Sequence, residues 1–105
     1  MKARSILHVE SEWAIVMEWR FEPGAETGHH VHAFGYVVIP LTDGILQVGG
    51  LETQLRAGEA YARSAGVAHN VVNTGPREFR FVEVELKGQP FRESALQVAR
   101  SPHDS

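Results

Sequence analysis

The chain has 105 residues, enough for one domain spanning 1–105 with one core and too few for two, and its 43% apolar content with 10 glycines and 5 prolines is that of a globular protein. A formal charge of -3 with no block of like charges argues against a nucleic-acid surface and for a small-molecule partner. No cysteine is present, so a disulfide framework and a thiolate metal site are excluded, and any metal must be held by imidazole, carboxylate or water.

The first residues, MKARSILHVESEW, lack an uninterrupted apolar run long enough for a signal peptide, and no stretch approaches a membrane span. The expectation is a soluble, cytoplasmic protein without a membrane partner. Residues 5–10 read as a short edge strand or as an arm that pairs with a second subunit. From Trp13 to Glu22 the chain alternates, with Trp13, Ile15, Met17, Trp19 and Phe21 on one face and Glu18, Arg20 and Glu22 on the other. The apolar stripe suits core packing, a ligand cavity wall or a subunit interface, and the polar face is expected to meet water or a polar cavity. Pro23-Gly24 ends the strand.

Three histidines follow. Residues two apart share a strand face, so His30 and His32 project together while His29 falls out of phase, facing solvent or supporting the site as a hydrogen-bond donor. Two imidazoles need a third ligand from elsewhere to hold one metal ion, and His69 in GVAHN is the candidate. Lone histidines such as His8 and His103 are read as surface or hydrogen-bonded residues.

Tyr36 to Leu41 is an apolar, β-branched run, and Thr42-Asp43-Gly44 reads as a hairpin turn into the strand Ile45 to Val48. Gly49-Gly50 is a second tight turn into Leu51 to Arg56, and Ala57-Gly58 turns again. Glu59 to Arg63 and Val67 to Asn73 read as two further strands around the loop Ser64-Ala65-Gly66, the hairpin closing at Thr74-Gly75-Pro76. Residues 78–86, EFRFVEVEL, place Phe79, Phe81, Glu83 and Glu85 on one face, which is either the solvated face of an edge strand or a source of carboxylates for the site. One short helical turn is expected within Phe91 to Arg100, before a polar tail from Ser101 to Ser105. Short strands with turns at such close intervals indicate an all-β sandwich or barrel.

The histidines and glycines resemble the two signature stretches of the cupin superfamily, G-(x)5-H-x-H-(x)3–4-E-(x)6-G and G-(x)5-P-x-G-(x)2-H-(x)3-N. The first runs through Gly24, His30, His32, Val37 and Gly44 at every required spacing, with Val37, or Tyr36 by the shorter spacing, where the family has glutamate. The second runs through Gly58, Ser64 in place of proline, Gly66, His69 and Asn73. PLTDG also looks like a motif of very small bacterial cupins, some of them linked to amine or β-alanine breakdown. The resemblance implies a small β-barrel of the jelly-roll, double-stranded β-helix kind, in which two histidines on one strand and a third from a strand across the barrel converge. It carries His30, His32 and His69 over as ligands of a divalent ion, iron favoured, with nickel, zinc, manganese, cobalt or copper as alternatives, and it implies a homodimer.

Without the glutamate, such a site is a neutral three-histidine centre, similar to that of some thiol and diketone dioxygenases. The expected activity is metal-dependent dioxygenase chemistry, or a related reaction, on a small chelating metabolite. Tyr36 and Glu83 are the candidate catalytic groups, since each can bring a proton-transferring group to the site. The alternative is a non-catalytic metal- or ligand-binding module, a sensor or accessory subunit. Asn73 is expected to fix a turn, and Gly24, Gly44, Gly58 and Gly66 to serve backbone geometry.

Overall fold

Alternating, β-branched segments broken by glycine turns form strands throughout the computed structural model, which describes residues 1–88. Among these residues the strands are β1 (Arg4–Glu10), β2 (Ala14–Phe21), β3 (His30–Val31), β4 (Gly35–Pro40), β5 (Gly44–Val48), β6 (Leu51–Leu55), β7 (Tyr61–Arg63), β8 (Ala68–His69), β9 (Val71–Asn73) and β10 (Phe79–Leu86). No helix forms among them, so none is long and apolar enough to cross a membrane. The helical turn expected within 91–100 and the polar tail lie outside the described residues.

An antiparallel five-stranded sheet runs in the order β1-β2-β10-β4-β7, and facing it are a three-stranded sheet, β6-β5-β9, and the two-stranded ribbon β3-β8. The chain leaves the large sheet after β2, β4 and β7 and returns to it each time, which winds the strands into the expected jelly roll. Two expected hairpins are therefore replaced by crossings. Thr42-Asp43-Gly44 carries the chain between sheets, because β4 pairs with β10 and β7 whereas β5 pairs with β6 and β9. Likewise β7 pairs with β4, and β8 and β9 pair with β3 and β5. Sequence turns report where the chain bends, and only the sheet order says what it then pairs with. The Gly49-Gly50 hairpin does form, with φ of 58° and 83° and Val48 opposite Leu51, the left-handed pair that a two-residue loop demands.

Residues from both layers meet in one core that includes Phe21, Leu46, Val71, Phe79 and Phe81. Gly44 is required there by packing, not by turning: a Cβ on it would fall 2.3 Å from Cδ1 of the buried Phe79 ring, and its φ is not positive. Gly24, Gly58 and Gly66 do take positive φ, as expected of turn residues.

The Trp13 to Phe21 stripe faces inward. Met17 and Trp19 line the internal cavity and Phe21 is fully buried, leaving Trp13 exposed at 73%. β1 is an edge strand, with a register shift between Leu7 and Val9. β10, one reading of which was an edge strand, lies between β2 and β4, so its Phe79, Phe81, Glu83 and Glu85 face is internal. Along that face the aromatics sit in the core and the acids sit beside the histidines.

Candidate metal centre

The ribbon β3-β8 builds the site from the backbone upward. His30 pairs directly with His69, Val31 pairs with Ala68, and the ladder continues past β3 as the His32 N–H donates to the Val67 carbonyl at 2.9 Å. The third histidine thus comes from the hydrogen-bonded neighbour of the first strand, where a strand across the barrel was expected. Alternation then points His30 and His32 the same way, and His69 meets them: His30 Nε2 lies 3.1 Å from His32 Nε2, which lies 3.2 Å from His69 Nε2. His29 is exposed, as its phase requires.

Hydrogen bonds fix which nitrogen faces inward. His30 Nδ1 is 2.9 Å from the Gly28 carbonyl, which can only accept, so Nδ1 carries a proton and Nε2 is the nitrogen that faces the other imidazoles. Gly28 is held in turn by its N–H, which donates to Asn70 Oδ1 at 2.9 Å, and Asn70 Nδ2 donates to Glu26 Oε1 at 2.7 Å. Thr27 Oγ1 donates to the same Gly28 carbonyl at 2.8 Å and accepts from Val71 N–H at 3.2 Å. Thr27 and Asn70 were missed in the sequence. Their only signal there is a small polar residue three positions before His30 and one position after His69.

His32 is the most enclosed of the three, only 5% exposed, and its ring stacks on Tyr36 with centroids 3.9 Å apart and planes 22° apart. Glu83 Oε2 stands 3.9 Å from His32 Nε2, and Glu85 Oε2 stands 3.7 Å from His32 Nδ1. Burial, then the charges of His30 and His69, lowers the His32 pKa to about 4. Burial, reinforced by His30, Arg63 and His29, also takes His69 to about 4. Both imidazoles are consequently neutral near pH 7, the form in which imidazole coordinates. Glu83 moves the other way: burial and the neighbouring Glu85 push it up to about 7 against a hydrogen bond from Trp19. Glu85 is likewise raised, chiefly by burial.

The donor set fits a divalent ion. With metal–nitrogen bonds of roughly 2.1 Å, neighbouring ligand nitrogens stand about 3.0 to 3.4 Å apart, and the two separations here fall within that range. One ligand atom from each of His30, His32 and His69 lies within 4.8 Å of the others, and the same holds for His32, Glu83 and Glu85. Val37 is the residue at the family's glutamate position by the longer spacing, but it pairs with Val84 and Ala62 on the outer face of the sheet. Tyr36 fills the inward position, and the carboxylates nearest the imidazoles come from Glu83 and Glu85 on β10. The three histidines, Tyr36, Glu83 and Glu85 line a cavity of about 270 Å³ whose remaining wall is mostly apolar, including Met17, Val38, Leu46 and Phe81.

A jelly roll with histidines converging inside it defines the class, and the comparisons agree. Residues 17–85 match the Cupin domain family, and the chain belongs to the cupins. It is 52% identical over 85 residues to the β-alanine degradation protein BauB of Pseudomonas aeruginosa, an alignment covering 77% of this chain and 90% of that one. Among solved structures, a cupin domain from Bordetella pertussis Tohama I superposes with a TM-score of 0.80 at 43% identity, covering 83% of this chain and 95% of that chain. A double-stranded β-helix protein from Klebsiella pneumoniae superposes with a TM-score of 0.70 at 28% identity, covering 86% and 81%.

Proposed function

We propose that this cupin is a metal-dependent enzyme, of the iron dioxygenase type, acting on a small chelating metabolite inside its barrel. The observation that carries the reading is the convergence of three imidazoles, 3.1 and 3.2 Å apart at Nε2, on a cavity of about 270 Å³. His30, His32 and His69 would hold the ion. A ferrous ion so bound supplies dioxygen activation and Lewis acidity, and three neutral ligands leave it its full charge for an anionic substrate.

The chain's own residues supply the rest. Gly28, Thr27 and Asn70 hold the His30 tautomer, and Tyr36 holds the plane of the His32 ring. Glu83, whose carboxyl keeps its proton up to about pH 7, is the group suited to give or take a proton beside His32. The Tyr36 phenol is on the same wall, and the apolar remainder of the cavity limits water. The likeness to a protein named for β-alanine degradation supports a small catabolic metabolite as substrate.

A second reading, a non-catalytic metal- or ligand-binding module, draws on one observation: Tyr36 occupies the inward position at which the family places its carboxylate ligand. Metal analysis of the untagged protein by plasma mass spectrometry, followed by oxygen uptake with diketones, thiols and small acids, separates the two. Near one iron per chain with substrate-dependent uptake is the expected result; metal without turnover on any of them favours the module. His30→Ala and His69→Ala should each abolish metal retention and leave the circular dichroism of a β protein. Full stoichiometric metal in both variants would overturn the ligand assignment.

A further inference from the structure

A second chamber adjoins the first. Tyr36, Val48, Tyr61 and His69 line both, and beyond them a space of about 150 Å³ is bounded by Arg63, Arg56 and Glu59. The register of the large sheet explains the change in polarity between the two. Glu85 on β10 pairs with Tyr36 on β4, and Tyr36 pairs with Arg63 on β7, so one inward row runs from carboxylate through phenol to guanidinium. The neighbouring inward row sets Glu83, Val38 and Tyr61 side by side. With strands roughly 4.8 Å apart, the acidic and cationic ends of the first row start about 10 Å apart. The guanidinium is held in place: its central carbon lies 4.7 Å from the Tyr61 ring centroid and NH1 donates to the Ala62 carbonyl at 2.9 Å. Among the described residues, Arg63 and the more exposed Arg56 are the lysine or arginine side chains lining either chamber.

We propose that this second chamber is a carboxylate subsite, in which Arg63 takes the carboxylate end of a short-chain metabolite. Resting on the metal reading above, the ligand's other polar end reaches past Tyr36 to the histidines. Charge sets this orientation. The second chamber sets Arg63 and Arg56 against the single carboxylate of Glu59 and presents a planar guanidinium fork that matches a carboxylate. A volume of 150 Å³ equals roughly five waters, enough for a carboxylate and a few methylenes. The substrate class is thus a small acid with a second, metal-directed polar group at the far end of a short chain.

The test compares propionate and butyrate with their neutral amides, propionamide and butyramide, by ligand-observed NMR titration. It uses chelator-treated protein and protein loaded with Ni(II). The carboxylates should bind wild type at least roughly tenfold more tightly than the amides with or without metal. Arg63→Gln should abolish that preference, Arg63→Lys should keep part of it, and Arg56→Gln should leave it near wild type, with circular dichroism confirming each fold. Equal binding of acids and amides to wild type, or an unchanged preference in Arg63→Gln, overturns the subsite. Should no metal be retained while the Arg63-dependent preference persists, the metal reading falls and the subsite stands. Should carboxylate binding require the metal and ignore Arg63, the subsite falls and the metal reading stands.

Discussion

Glu18 shows how much a single residue's setting depends on strands that its own alternation cannot report. It lies on the outer face of β2, as the pattern requires, yet only 7% of it is exposed. His8 Nε2 from the edge strand stands 2.9 Å from one carboxylate oxygen, and Arg20 Nε donates to the other at 2.8 Å. The hydrogen bonds from His8 and then Arg20 lower its pKa below the usual 4.5. A carboxyl depressed in the folded state contributes stability above its unfolded pKa and loses it as pH falls through the folded value. Glu18→Gln is therefore expected to lower the unfolding midpoint at pH 7, with the gap to wild type closing as the pH drops below about 4. Parallel melts across pH 3 to 8 check this, and a gap independent of pH would remove the ionised carboxylate as the cause. At the candidate site the same division holds. His30 and His32 were legible because their spacing fixes their phase, His69 through its place in the second signature stretch, and Glu83 as part of a face. Its depth was not, since that follows from β10 lying mid-sheet. Asn70 acts through a bond to Gly28, 42 positions away in sequence, which no local pattern records.

Among the elements, the passage from β4 to β5 separates what turn chemistry reveals from what packing adds. Thr42-Asp43-Gly44 announced a bend and hid a crossing between layers, because the residues that bend a chain are the same whether it folds back or moves on. Gly44 and Gly50 make the point measurable. Gly50 sits at φ 83° with nothing within 4 Å of where a Cβ would stand, so Gly50→Ala costs only the left-handed backbone, about 1 to 2 kcal/mol. At Gly44 the new methyl would meet the Phe79 ring, which is 1% exposed inside the core. Gly44→Ala should cost roughly 1 to 3 kcal/mol by overpacking, and Phe79→Leu in the same chain should recover part of it. Denaturant titrations of the three variants decide the matter. Recovery absent in the double variant would place the cost of Gly44→Ala in the backbone.

For the molecule as a whole, the alternation and turn spacing were enough for the all-β class, and the two signature stretches for the jelly roll. The order of strands in the sheets was not readable, because it is set by long-range pairing. Of the candidate ligands, His30 and His69 belong to a short ribbon, β3-β8, separate from both larger sheets, and His32 follows β3 directly, so an ion held as proposed would fasten the segment leading out of β2 to the one leading into β9. Removing it should lower the melting midpoint. Free metal at a thousand times its dissociation constant stabilises by about 4 kcal/mol, and calorimetry before and after chelation reads the difference. A midpoint indifferent to a confirmed loss of metal would confine the ion to chemistry. The ribbon also bears on when the metal is chosen. In the nascent chain, His29, His30 and His32 form a loose tract that favours whichever ion stands highest in the Irving–Williams series. Closing the barrel turns His29 outward and delivers His69, 37 residues beyond His32, in its place. If the three histidines hold the ion as proposed, one caught during synthesis would have to be re-ligated as the barrel closes, and fidelity in metal acquisition would depend on folding finishing before loading begins.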